Sequence, residues 1–216
     1  MSKIAGHYKA LKFNKTFFLQ LGTGVLLLGI SIFFNHFAQA FTASHASNSV
    51  SDIILDNLPA KNVDIIFLEG MSVFITFVFL LCLYKPARVP FVLKASALFI
   101  FTRAVFITLT HLAPPAHQTA VNAVSYWERL ISGSGDDLFF SAHTGFPFLM
   151  ALIFWNSRPL RWIFLAASAF FGFAVLLGHL HYSIDVFSAF FITYGIYNLA
   201  KYFFKKDFKL FPYHDS

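Results

Sequence analysis

Two histidines, an aspartate and an arginine draw attention because each is costly to keep in the apolar stretches where it stands. His181 and Asp185, in Leu177-Gly-His-Leu-His-Tyr-Ser-Ile-Asp-Val186, are four residues apart. On a helix that spacing puts both on one face, within hydrogen-bond reach. A carboxylate that holds one imidazole nitrogen leaves the other as a base or nucleophile; the same pair equally suits a cap that only anchors a helix end. His143 lies in Gly135-Asp-Asp-Leu-Phe-Phe-Ser-Ala-His-Thr144, where Ser141 to Thr144 are expected in the first turn of a helix. Free amides there are suited to an anion, although a lone histidine also suits a simple headgroup contact. Arg103 precedes His111 by eight residues, which puts it roughly 12 Å below the expected helix end. A guanidinium at that depth costs kilocalories unless it faces a wet cavity or an anion. It is the group of choice for a two-point clamp on phosphate oxygens, with snorkelling or pairing to a carboxylate as the alternatives. His143, His179, His181 and Asp185 also compose a conceivable metal set. His179 and His181 are two apart, however, which suits a turn rather than a helical chelate, and the expectation is no metal.

The elements that must position these residues are membrane helices. Of 216 residues, 57% are hydrophobic and only 12% charged, against about 25% charged in soluble domains. Thirty-one phenylalanines add to the excess, and one soluble core of this size has no room for it. Runs near the roughly 20 apolar residues that a span needs are Phe17–Phe41, Ile65–Tyr84, Phe91–Leu112, Ala142–Trp155, Leu160–Gly178 and Ile184–Phe204. The fourth is short and polar at its start. The fifth and sixth are separated only by His179–Ser183, so a tight helical hairpin is expected. The first run is too long for a signal-peptide core, so no cleavable leader is expected. Cys82, the single cysteine, allows no intrachain disulfide.

Positive charge orients the spans. Lys3, Lys9, Lys12, Lys15, Lys85, Arg88, Lys94, Arg158, Arg161, Lys201, Lys205, Lys206 and Lys209 fall on one side, thirteen of sixteen Lys and Arg. Lys61 and Arg129 fall on the other, with Asp52, Asp56, Asp64, Glu128, Asp136 and Asp137. The expected fold is all-α, a polytopic six-transmembrane-helix bundle with both termini cytoplasmic. Residues 1–16 are a basic amino-terminus, 17–204 the membrane domain and 205–216 a basic cytoplasmic tail. The net charge of +6 is spread over short loops rather than gathered in one patch, which argues against nucleic acid. Arg103, His143 and the His181–Asp185 pair are all brought to the non-cytoplasmic side, and that convergence outweighs the separate structural readings.

These segments resemble the sphingomyelin synthase family, a branch of the type-2 phosphatidic acid phosphatase superfamily. The family's H-x-H-Y-T/S-x-D-V motif is complete from His179 to Val186. Its C-G-D-x-x-x-S-G-H-T motif is matched at Asp137, Ser141, His143 and Thr144, with Gly135, Asp136 and Ala142 departing from it. Arg103 and Thr110-His-Leu-Ala-Pro-Pro115 echo a further motif, and Leu58-Pro59 with the acidic run to Glu69 echo another. The resemblance spans about residues 58 to 200; the K-x6-R-P signature of the hydrolytic branches is absent. It implies transfer of phosphocholine or phosphoethanolamine from a glycerophospholipid to ceramide or a similar lipid alcohol. His181 is implied as the nucleophile, Asp185 as its orienting carboxylate and His143 as the acid and base. Arg103 and Ser141 would bind phosphate, with Asp137, His179, Tyr182 and Glu128 as headgroup or supporting residues. No cofactor is expected, and the partners are membrane lipids. A lipid phosphatase or phospholipase C with water as acceptor would use the same residues, and a non-enzymatic lipid transporter or scaffold would need them vestigial.

Overall fold

The computed structural model describes residues 15–121 and 138–209, and among these every regular element is helical. Each expected run is found as a helix. The first is α1 (Lys15–Ser44). The second opens with a π turn, Ile66–Gly70, and continues as α2 (Met71–Tyr84). A 3-10 turn, Pro86–Arg88, leads into α3 (Val89–Leu109). After these come α4 (Ala142–Ile153), α5 (Arg158–Leu177) and α6 (Ser183–Phe203). The segment expected to be a plain tail begins with a short helix, α7 (Lys205–Lys209).

Lys15–Ser44, Ile66–Tyr84, Pro86–Leu109 and Arg158–Leu177 are long and apolar enough to cross a membrane. α6 matches them in length, but Asp185, Thr193, Asn198 and Lys201 dilute its hydropathy. α4 has 12 residues and extends only about 18 Å. α3 stops at Leu109 rather than continuing to Leu112, because Thr110 turns extended at φ −135°, ψ 114°.

The outer surface explains the composition. Phe33 and Phe37 on α1, Phe170 and Phe173 on α5 and Phe191 and Tyr202 on α6 are all exposed. Apolar surface on this scale needs lipid, since soluble monomers expose patches of only a few hundred Å². The chain is an integral membrane protein. Between helices in lipid, close packing rather than the hydrophobic effect selects the contacts, and small residues let backbones approach. Accordingly Ala95, Ala151 and Ala189 are fully buried. A Cβ on Gly145 would come within 2.8 Å of Thr193 Oγ1 and 2.9 Å of the Phe99 ring, so α4 lies hard against α6 and α3 there. α4 is the central element, with Leu149, Met150 and Ala151 fully enclosed. It packs on α5 and α6, while α1 runs along α3 and is tied to it by Thr42 Oγ1 donating to Ile107 O at 3.0 Å.

Candidate active site

The His-x-His segment begins where α5 ends. Leu180 N donates to Val175 O at 2.9 Å and His179 N to Leu176 O at 3.0 Å. This is the double bond of a Schellman cap, which requires a left-handed residue at the position of His179. His179 has φ 52°. Its Nε2–H donates to Leu58 O at 2.9 Å, so the ring fastens the outer loop instead of facing solvent. The chain then extends through Tyr182 (φ −69°, ψ 157°), and α6 starts at Ser183.

His181 therefore stands two residues ahead of the helix, not on its face as the four-residue spacing suggested. The pairing with Asp185 survives because Asp185 is the third residue of α6 and reaches back. Its Oδ2 accepts Nδ1–H of His181 at 3.2 Å and the Tyr182 amide at 3.2 Å. The second bond is half of a capping box. The cap reading and the catalytic reading are therefore not exclusive: one carboxylate closes the helix end and holds the imidazole. Asp185 is 1% exposed, and its Oδ1 has no hydrogen-bond partner among the described residues. The His181 ring is held through Nδ1.

Ser141 is the N-cap of α4 rather than part of its first turn. At φ −64°, ψ 122° its hydroxyl accepts from Thr144 N at 3.4 Å, which occupies one of the amides expected to be open to an anion. Ser141 N donates to Asp185 O at 3.0 Å, and this bond ties the two histidine segments together. His143, the second residue of α4, is buried; its Nε2–H donates to Phe67 O at 3.1 Å, and its ring stacks on Phe67 with centroids 3.9 Å apart. Phe67 belongs to the π turn, an irregularity often found at functional sites. Thr144 Oγ1, beside Gly172 of α5, is buried without a hydrogen-bond partner among the described residues.

Arg103 is 5% exposed on α3, a helix that packs on both α4 and α6. With α3 ending at Leu109, it sits about 9 Å below the helix end rather than 12 Å. Asp137 and Glu128 lie outside the described residues. Among those described, no three His, Cys, Asp or Glu side chains gather as metal ligands. His143 and His179, weighed as ligands, each direct Nε2–H to a backbone carbonyl.

Tyr182, expected as a headgroup or supporting residue, has a hydroxyl that donates to Ala113 O at 2.9 Å and accepts from Val50 N at 3.1 Å. One residue, Asp52, escaped the sequence reading as part of the site. Asp52 accepts from Ile54 N and Leu55 N with Oδ1, at 2.9 and 3.2 Å, and from Ser183 N with Oδ2 at 2.6 Å. Burial pulls its pKa upward, but the hydrogen bonds from Ser183, Leu55 and Ile54 outweigh this and hold it below the usual carboxylate value. The local turn was readable, as an Asp three residues before a helical turn. The partner 131 residues away was not.

Residues 135–202 match the family model of the PAP2 superfamily C-terminal domain. The match takes in both histidine segments, from Gly135 to Thr144 and from His179 to Val186. It covers less than half of the chain and supports the phosphatidic acid phosphatase superfamily, without reaching the sphingomyelin synthase branch. None of the curated proteins matches the chain.

Proposed function

We propose that this chain, with its PAP2-like C-terminal segment, is a membrane lipid phosphotransferase. It moves phosphocholine or phosphoethanolamine from a glycerophospholipid to ceramide or a similar lipid alcohol. The observation that carries the reading is the buried His181–Asp185 pair, joined to the His143 segment by the Ser141–Asp185 backbone bond.

In this mechanism Asp185 fixes the proton on Nδ1 of His181, which makes Nε2 the nitrogen with a lone pair. Nε2 attacks phosphorus and the bond to the diacylglycerol oxygen breaks, leaving a phospho-histidine. Protonated His143 supplies the proton that this oxygen takes up. Neutral His143 then removes the proton of the acceptor hydroxyl, whose oxygen attacks phosphorus and frees His181. Arg103 balances the phosphate charge, and the Ser141 hydroxyl, still a donor, is turned toward a phosphate oxygen. Each proton transfer contributes about 10²–10⁴ in rate, and the remainder falls to fixed charge around the phosphoryl group. The site works on the non-cytoplasmic face, as the distribution of basic residues implies. With water in place of the lipid alcohol, the same steps make a hydrolase.

The test is incubation of purified protein with phosphatidylcholine labelled in its phosphate, with and without ceramide. Label passing to a ceramide product only when ceramide is present is the expected result. Label released as free phosphocholine at equal rate in both arms assigns the hydrolase instead, and label left in the donor removes both.

A further inference from the structure

At the far end of α6 from the histidines, roughly 30 Å along its axis, lies a second polar centre. Lys94 of α3 is 4% exposed. Its Nζ donates to Asp207 Oδ2 of α7 at 2.8 Å and to Gln20 Oε1 of α1, and it stands 5.7 Å from the centroid of the Phe204 ring. α7 is held in place by Phe208, whose ring lies 5.1 Å from that of Phe91. Around the pair is a cavity of about 630 Å³ lined by Gln20, Lys94, Phe203, Phe204, Lys205, Lys206, Asp207 and Lys209.

We infer that this pocket binds a phosphate-ester anion, and that the anion is the headgroup of an acidic phospholipid. Four ammonium groups face one carboxylate in its lining, so three positive charges remain after Asp207 is counted. Lys94 is the sixth residue of α3, some 8 Å from the helix start, at the depth of headgroup phosphates and glycerol rather than in bulk water. Phe203 and Phe204 give the pocket an apolar wall beside its charges, as a glycerolipid requires and a soluble phosphate ester does not. Asp207 Oδ1 is buried without a hydrogen-bond partner among the described residues. Asp207 thus serves as a stand-in anion, neutralising Lys94 while the pocket is empty. Clustered basic residues at the cytoplasmic membrane surface attract anionic lipids by about 1 kcal/mol each, and a buried ammonium in a shaped pocket adds selectivity for one bound molecule. The site is independent of the proposed reaction.

The experiment places full-length protein in nanodiscs of phosphatidylcholine alone, or with one third phosphatidylglycerol, and reads the thermal unfolding midpoint. Native mass spectrometry counts retained phosphatidylglycerol. A detergent sample with glycerol phosphate separates the two sources of the anion. Expected is a midpoint several degrees higher with phosphatidylglycerol, one such lipid retained, and no response to glycerol phosphate. The double variant Lys94→Gln/Asp207→Asn keeps the net charge and leaves no orphaned ion, yet it should lose both the shift and the retained lipid. Lys205→Gln/Lys206→Gln/Lys209→Gln, all exposed positions, should weaken retention at least tenfold, and His181→Ala should leave it unchanged. A shift of full size in the charge-neutral double variant means diffuse surface attraction and overturns the site. Equal midpoints in both lipid mixtures overturn it as well, and an equal response to glycerol phosphate overturns the lipid as its occupant.

Discussion

The amide of Ser141 donates to the carbonyl of Asp185 at 3.0 Å, so the cap of α4 and the first turn of α6 are fixed to one another through backbone alone. Replacing His143 or His181 leaves both the donor and the acceptor of that bond in place, so those variants should test chemistry with this tie intact. Asp185 also caps α6, and its variants are to be read with an unfolding midpoint.

The two histidines are expected to separate by leaving group. His181→Ala should abolish donor cleavage and any phospho-enzyme trapped by acid quench. His143→Ala should slow release of diacylglycerol by about 10²–10⁴ but release of a nitrophenolate far less, because that anion needs little protonation. Asp185→Asn should behave as a weakened His181 variant, since the amide no longer enforces the proton on Nδ1. Phosphate label found on His143, or persisting in His181→Ala, reverses the roles.

Arg103→Lys should lose most turnover while expressing and folding normally, because an ammonium cannot reproduce a planar two-point contact with phosphate. Turnover and the detergent unfolding midpoint, measured together, check it. Near-normal turnover returns Arg103 to a structural role.

Gly178 sits where the outer loop crosses the end of α5: Lys61 N donates to Leu177 O at 2.8 Å and Thr119 N to Gly178 O at 3.0 Å. An added Cβ would collide with Val63 Cγ2. Gly178→Ala should cost about 1–3 kcal/mol, read as a lower unfolding midpoint. Val63→Ala should restore part of the loss, and no recovery would remove the steric explanation.

Asp52 makes a pH prediction whose sign follows from its depressed pKa. The carboxylate's contribution to stability is complete above its unfolded value of about 3.8 and is lost as pH falls through the lower folded value. Wild type should therefore lose stability on acidification below about pH 4 more steeply than Asp52→Asn. At neutral pH the variant should be weaker by about 1.5–3 kcal/mol, the range for hydrogen bonds to a charged group. Parallel acid profiles would remove Asp52 from its role.

Ile53, beside Asp52, is 82% exposed and is therefore a reporter of topology. In a Cys82→Ala background, Ile53→Cys should react with an impermeant maleimide only from the non-cytoplasmic side. Labelling from the cytoplasm alone overturns the orientation of the bundle and of the site together.

Much of this architecture was legible because lipid imposes a simple rule on sequence: long apolar runs, with basic residues between them. Helix starts were readable within a few residues, and His181 with Asp185 was readable as a pair. The backbone that joins them was not, because a four-residue spacing reads as a helical face unless the cap is visible. His179 and Tyr182, expected as headgroup or supporting residues, grip Leu58, Val50 and Ala113, contacts 69 to 132 residues distant that no spacing reveals. The Lys94–Asp207 pair was hidden for the same reason, since Lys94 counted only as one more positive charge.

The shortness of α4 has a consequence for how a lipid arrives. With Arg158 and Arg161 marking one membrane boundary, a helix of about 18 Å ends some 12 Å short of the opposite edge of a 30 Å hydrocarbon slab. On that reckoning His143, at the start of α4, lies within one leaflet and below that edge. A lipid that drifts in sideways need only dip its headgroup, and its tails never leave oil. Lifting one 16-carbon chain into water would instead cost roughly 12 kcal/mol, at about 0.8 per methylene.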